Sequence, residues 1–157
     1  MAGYTGYTTS KAFAGRGTVV QYSTNPPSVA YTMASELKTA AFSGAKYDLA
    51  DVSNLESGNF KEWLPTTADS GECSMSGNYL PNSAAELAMI GFFNTATLVT
   101  WQLVLPPSAA QGFPTTLGTF TFTGYISSID YGLETSKEAT IAFKVKITGA
   151  IAFVGGS

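Results

Sequence analysis

The chain has 157 residues, enough for one domain with a sizeable core, and carries a net charge of -3 with a pI near 4.8. An acidic balance of that kind excludes a nucleic-acid-binding surface of the usual sort, which needs a clustered basic patch, and the longest basic cluster is Lys144 with Lys146. With no histidine and Cys73 as the one cysteine, an internal disulfide, a His-centred triad, a Cys–His dyad and a His/Cys zinc site are excluded together.

Only 12% of the residues are charged, about half the usual share, while 45% are hydrophobic. The surface must therefore be rich in apolar and Ser/Thr/Gly groups, which points to burial against other subunits. Residues 1–16 are rich in Gly, Tyr, Thr and Ala and carry the echo GYTGYT; they read as an extended arm, ordered only where something covers it. This segment has no apolar core of a secretory signal, and no apolar run approaches the ~20 residues of a membrane span. The expectation is a protein made and assembled in a cytoplasm, with no membrane partner.

GTVVQYS (17–23) reads as a first strand, broken by Asn25-Pro26-Pro27. Val29, Tyr31 and Met33 alternate into a second strand running toward Leu37, and AKYDLADV (45–52) forms a third, with Tyr47 and Leu49 on one face. Residues 53–71, SNLESGNFKEWLPTTADSG, form the longest irregular stretch. Loops beyond about 12–15 residues are uncommon in compact domains and are usually functional or disordered. A disordered loop has little use for Leu55, Phe60, Trp63 and Leu64, so these four are expected to anchor across an interface. Phe60 and Trp63 could alternatively line a carbohydrate site.

ECSMSGNY (72–79) alternates with Cys73, Met75 and Tyr79 on one face, which makes Cys73 a buried small hydrophobe. Ser83-Ala84-Ala85-Glu86 matches a capping box, and a helix is expected over 83–94. TLVTWQLVL (97–105) is apolar at nearly every position, as a strand covered on both faces should be. Residues 106–114 read as a loop. Residues 117–149 then form a long antiparallel hairpin around ETSKEA and act as the spine of the chain. Phe120, Phe122 and Ile126 are even whereas Ile129, Tyr131 and Leu133 are odd, so either a β-bulge lies near Ser127–Ser128 or both faces are buried there. Residues 150–157 are left as a C-terminal tail.

The resulting fold class is mainly β: a β-sandwich or partial barrel with one short α-helix and a long inter-strand loop, a single domain over 1–157. An enzyme would have to work with carboxylates and hydroxyls. The pairs Asp48/Asp51, Glu62/Asp69 and Glu134/Glu138 read as solvated loop charges rather than a glycosidase pair. Asp48-Leu-Ala-Asp51-Val-Ser-Asn54 has neither the spacing nor the glycine of a calcium loop. No catalytic residue, cofactor site or metal site is expected.

The run DVSNLESGNFKEWLPTTADSGECSMSGNYLPNSAAELAMIGFF, followed by TFTFTGYISSIDYGLETSKEATIAFKVKITG, resembles the major tail tube proteins of long-tailed bacteriophages. The order carries the likeness: a long loop, an S-x-x-G-N-Y-like strand, a capped helix, a TFTGYI-like strand at Thr121–Ile126 and a V-x-I-T-G strand at Val145–Gly149. The resemblance covers about residues 29–149. It implies a structural virion protein whose subunits close into hexameric rings, the rings stacking into a tube that passes the genome without specific DNA binding. It further implies a long loop that reaches a neighbouring ring, with tail terminator, tape measure and tail-tip proteins as partners. Many relatives add an immunoglobulin-like domain after the terminal ITG; with only Ala150–Ser157 following here, no such decoration is expected. Two other readings remain open, the inner tube of a contractile injection machine and a carbohydrate-binding sandwich of a tail tip.

Overall fold

The computed structural model describes residues 14–27, 30–34 and 36–157. Most of the N-terminal arm read from the sequence, and Val29 of the expected second strand, lie outside the described residues. Among the described residues nine strands and one α-helix follow in chain order. They are β1 (Val19–Thr24), β2 (Thr32–Met33), β3 (Leu37–Ser43), β4 (Lys46–Asp51), β5 (Trp63–Asp69), β6 (Glu72–Asn78), α1 (Ala84–Thr95), β7 (Val99–Val104), β8 (Gly118–Gly132) and β9 (Thr140–Gly155).

Seven strands make one antiparallel sheet in the order β2-β1-β7-β8-β9-β6-β3, and β4 with β5 form a separate two-stranded ribbon. The large sheet curls over on itself. Phe42 on β3 lies three strands from β8 in the sheet order, yet its ring stands 5.5 Å from Phe120 and 5.3 Å from Phe122. One concave core results, holding Tyr22, Met75, Trp101, Phe122, Phe143 and Val145 among others. The architecture is thus an open, partly rolled sheet, the partial-barrel form of the expected class.

The spine hairpin is present, and the phase change has its cause. The β8–β9 register slips between Ile126 and Ser128, which moves the inward position from Ile126 to Ile129, and a second slip lies between Thr121 and Thr123. Strand β9 is longer than the expected hairpin. The segment read as a C-terminal tail continues the ladder, Val154 opposite Thr119 and Phe153 opposite Phe120. The second expected strand is instead divided into β2 and β3, and Glu36 between them takes the left-handed conformation with φ 47°.

The helix starts where the capping signal placed it. Ser83 accepts from the Glu86 N–H at 3.2 Å, and the Glu86 carboxylate reaches back upstream of the cap. It accepts from the Leu80 N–H at 2.9 and 3.0 Å, so the buried Glu86 fastens the preceding loop to the helix. On the helix, Ala85 and Met89 join the concave core, and Phe92 meets Tyr22 edge to face at 5.7 Å. No helix among the described residues is long and apolar enough to cross a membrane.

Candidate assembly surface

The stretch read as a loop at 53–71 is largely ordered. Its second part is β5, paired with β4 as a ribbon that projects from the seven-stranded sheet. A seven-residue strand containing Pro65 and no buried side chain gives no alternation signal, so the sequence reads as irregular. The ribbon leaves β3 at Gly44 and rejoins β6 at Gly71. A Cβ on Gly71 would stand 2.0 Å from the Ser43 carbonyl oxygen, and φ there is 79°, so this return requires glycine.

Within the ribbon Leu49 faces Pro65, Ala50 faces Leu64 and Asp51 faces Trp63. Cross-strand partners share a face, so Trp63 and Leu64 project from opposite faces of the arm. The tip, 52–62, is held by its own polar groups. Asp51 accepts from the Ser53 N–H (2.9 Å), Asn54 from the Glu56 N–H (2.7 Å), and Ser53 from the Glu62 N–H (2.9 Å). The Ser53 hydrogen bonds hold the Asp51 carboxyl below its ordinary value.

Of the four expected anchors, Leu55 and Phe60 sit at the tip and Trp63 and Leu64 on β5. Leu55 is wholly exposed, Phe60 is 83% exposed and Trp63 52%. Tyr47, Leu49 and Val52 on the same arm are exposed as well. The sequence placed Tyr47 and Leu49 on a strand face, and the ribbon has no layer against which that face could pack. Fully burying a Leu or Phe side chain stabilises by roughly 1.5–3 kcal/mol, which this arm forgoes at several positions in the isolated subunit. Lys61 adds a cation–π contact, its Nζ 5.7 Å from the Trp63 ring centroid.

A second apolar feature, open among the described residues, lies in the sheet itself. Because β3 folds over β8 without pairing to β1, a cleft of about 830 Å³ opens between them. Val20, Leu37, Phe42, Leu103, Leu105 and Phe120 form its apolar walls, and Arg16 and Lys38 stand among its lining residues. No local sequence signal announces it, since its walls come from four strands far apart in the chain.

Of the carboxylates considered for chemistry, Glu134 and Glu138 line one small cleft together with Lys137, and four stand against lysines. Asp69 binds Lys146, Glu138 binds Lys38 at 2.9 Å, Glu134 lies 3.3 Å from Lys137, and Asp51 lies 3.7 Å from Lys61. Among the described residues no group of three or more His, Cys, Asp or Glu could hold a metal ion. Cys73 is fully buried, and burial pushes its thiol up to about 12.

No family model matches the chain, and no curated protein matches it. Solved structures do. A chain of the native gene transfer agent virion has 18% identity and a TM-score of 0.69, over 92% of this chain and 100% of that one. A chain of the anti-feeding prophage baseplate has 10% identity and a TM-score of 0.72, over 94% and 98%. The SPP1 tail tube protein has 10% identity and a TM-score of 0.67, over 93% and 80%. Across nine-tenths of its length this chain shares its fold with those chains, that of the SPP1 tail tube among them.

Proposed function

We propose that this chain is the structural subunit of a tail tube in a virion, closing into hexameric rings that stack around a conduit for the genome. The observation that carries the reading is the combination of a tail tube fold with a projecting arm whose large apolar side chains have no cover in the subunit. Leu55, Phe60, Trp63 and Leu64 are its inter-ring contacts. A passive conduit should not hold its cargo. The net charge of -3 supports this, as does the pairing of Lys38, Lys61, Lys137, Lys144 and Lys146 with carboxylates. The role is assembly and not catalysis, with terminator, tape measure and tail-tip proteins completing the tail.

The likeness to the anti-feeding prophage baseplate chain favours a second reading, the inner tube of a contractile injection machine. Negative-stain electron microscopy of the purified protein tests both. Long hollow filaments support the tail tube, single rings support the injection tube, and compact monomers at high concentration defeat both.

A further inference from the structure

We infer that the cleft between β1 and β3 is the socket for the arm tip of a second copy of this chain, an inference that rests on the tube reading above. The molecule carries a knob and a hole at different places. The arm exposes Leu55 and Phe60 at its end, and the curled sheet leaves an apolar cleft walled by Leu37, Phe42, Leu103 and Phe120. The arm cannot be serving its own cleft, since its large side chains are exposed in the same structure and none of them lines that cleft.

Size and charge both match. A volume of about 830 Å³ falls in the range that encloses a drug-sized ligand, room for two large side chains together. The tip and its flanks carry Asp51, Glu56 and Glu62 against the single Lys61, whereas Arg16 and Lys38 stand at the cleft. Among the described residues no ion pair engages Arg16. Lys38 is paired only with Glu138, with both side chains more than half exposed, so it can turn to a new carboxylate at little cost. A knob and a hole at different places on one subunit allow a head-to-tail contact, the kind that propagates into rings or stacks.

The test places a photoreactive p-benzoylphenylalanine at position 60 in one isotope-labelled population, co-assembled with unlabelled wild type. Tubes irradiated and digested should yield intermolecular adducts concentrated in 16–20, 37–42 and 103–105. Tubes whose adducts fall elsewhere, including on residues 1–13 as a rival occupant, overturn the socket and leave the tube intact. Wild-type protein that forms no tubes overturns the tube reading itself. Should position 60 not tolerate the probe, position 55 takes it. Independently, Arg16→Glu should raise the critical concentration for assembly several-fold and Arg16→Lys should leave it near wild type, the difference shrinking as salt rises. Equal critical concentrations for the two variants overturn the socket.

Discussion

Asp69 at the end of β5 and Lys146 in the middle of β9 bind each other through both carboxylate oxygens, at 2.9 and 3.0 Å. This pair ties the root of the projecting arm to the spine of the sheet. Beside it the Gly71 N–H donates to the same carboxylate at 2.8 Å, and the Gly71 carbonyl accepts from Ile147 at 3.1 Å. Lys146 first, and Gly71 second, hold the Asp69 carboxyl below its ordinary value of 3.8.

Lys146→Met should therefore leave the sheet folded while speeding amide exchange at Gly71. The pH dependence has a definite sign. A depressed carboxyl contributes fully above its unfolded value and loses that contribution as pH falls through the lower folded value. Wild-type protection at Gly71 should be flat near neutrality and fall in the acid range below 3.8, a step that Lys146→Met makes smaller without abolishing it, since the Gly71 N–H still donates to the carboxylate. Equal exchange rates in the two proteins at neutral pH would remove the tie.

Phe143 is fully inside, 5.8 Å from Trp101 and paired across the ladder with Met75 and Ile129. Truncation to Ala should cost on the order of 3–5 kcal/mol, because the rolled sheet cannot collapse onto the cavity. Lys144→Ala next to it should stay within about 0.5 kcal/mol, as that side chain faces out. Denaturant melts of the two variants check the strand phase.

That phase was legible because a half-buried strand writes its burial into a period of two. Cys73 and Met75 on β6, and Ile141, Phe143, Val145 and Ile147 on β9, are buried as the alternation requires. The helix start was legible for a local reason as well, Ser83 being an N-cap. Four features were not. Strand β3, LKTAAFS, has weak β-formers and owes its identity to its partner β6. Strand β5 has no buried face to imprint a period, and β9 beyond Gly149 appeared as a tail because that glycine, with φ 81°, interrupts the pattern. The cleft depends on the curl of the whole sheet, which no local window contains.

Thr100 on β7 is 2% exposed, and its hydroxyl has no hydrogen-bond partner among the described residues. A buried polar group left unmade costs roughly 1–3 kcal/mol, whereas an apolar group of the same shape avoids that cost. Thr100→Val keeps the branched shape that the strand favours and should raise stability by about 1 kcal/mol. A lowered melting temperature would mean that the hydroxyl is satisfied in solution.

Cys73 should be inert. Burial raises its thiol from 9.0 to about 12, opposed weakly by a hydrogen bond with the Ala41 backbone, so at pH 8 the folded protein holds a neutral, inaccessible thiol. Ellman's reagent should label it only on unfolding. The linkage runs toward alkali: the unfolded chain releases this proton first, so the contribution is complete below pH 9.0 and declines as pH rises from there toward about 12. Rapid labelling of the native protein at pH 8 would contradict the buried position.

The arm is separable from the sheet, and that makes its role testable by removal. Ser43 and Glu72 are direct cross-strand partners at the arm's root, so the chain between them can be replaced by a two-residue Asn-Gly turn, the commonest way to join paired antiparallel strands. Little that the core uses is lost: the buried cluster contains no residue of 44–71, and the arm's large side chains are exposed. The deletion removes Asp69 and so releases Lys146, an exposed pair whose loss the sheet should tolerate. The shortened protein should keep its β-rich circular dichroism and a cooperative melt, yet form no tubes at any concentration at which wild type does. Trp63→Ala should lie between the two, since it removes one anchor from one face of the arm and leaves Leu64 on the other. Normal tubes from the arm-deleted protein would end the stacking role of Leu55, Phe60, Trp63 and Leu64. Loss of the cooperative melt would mean instead that the arm supports the subunit's own fold, through the root contacts at Ser70 and Gly71 with β9.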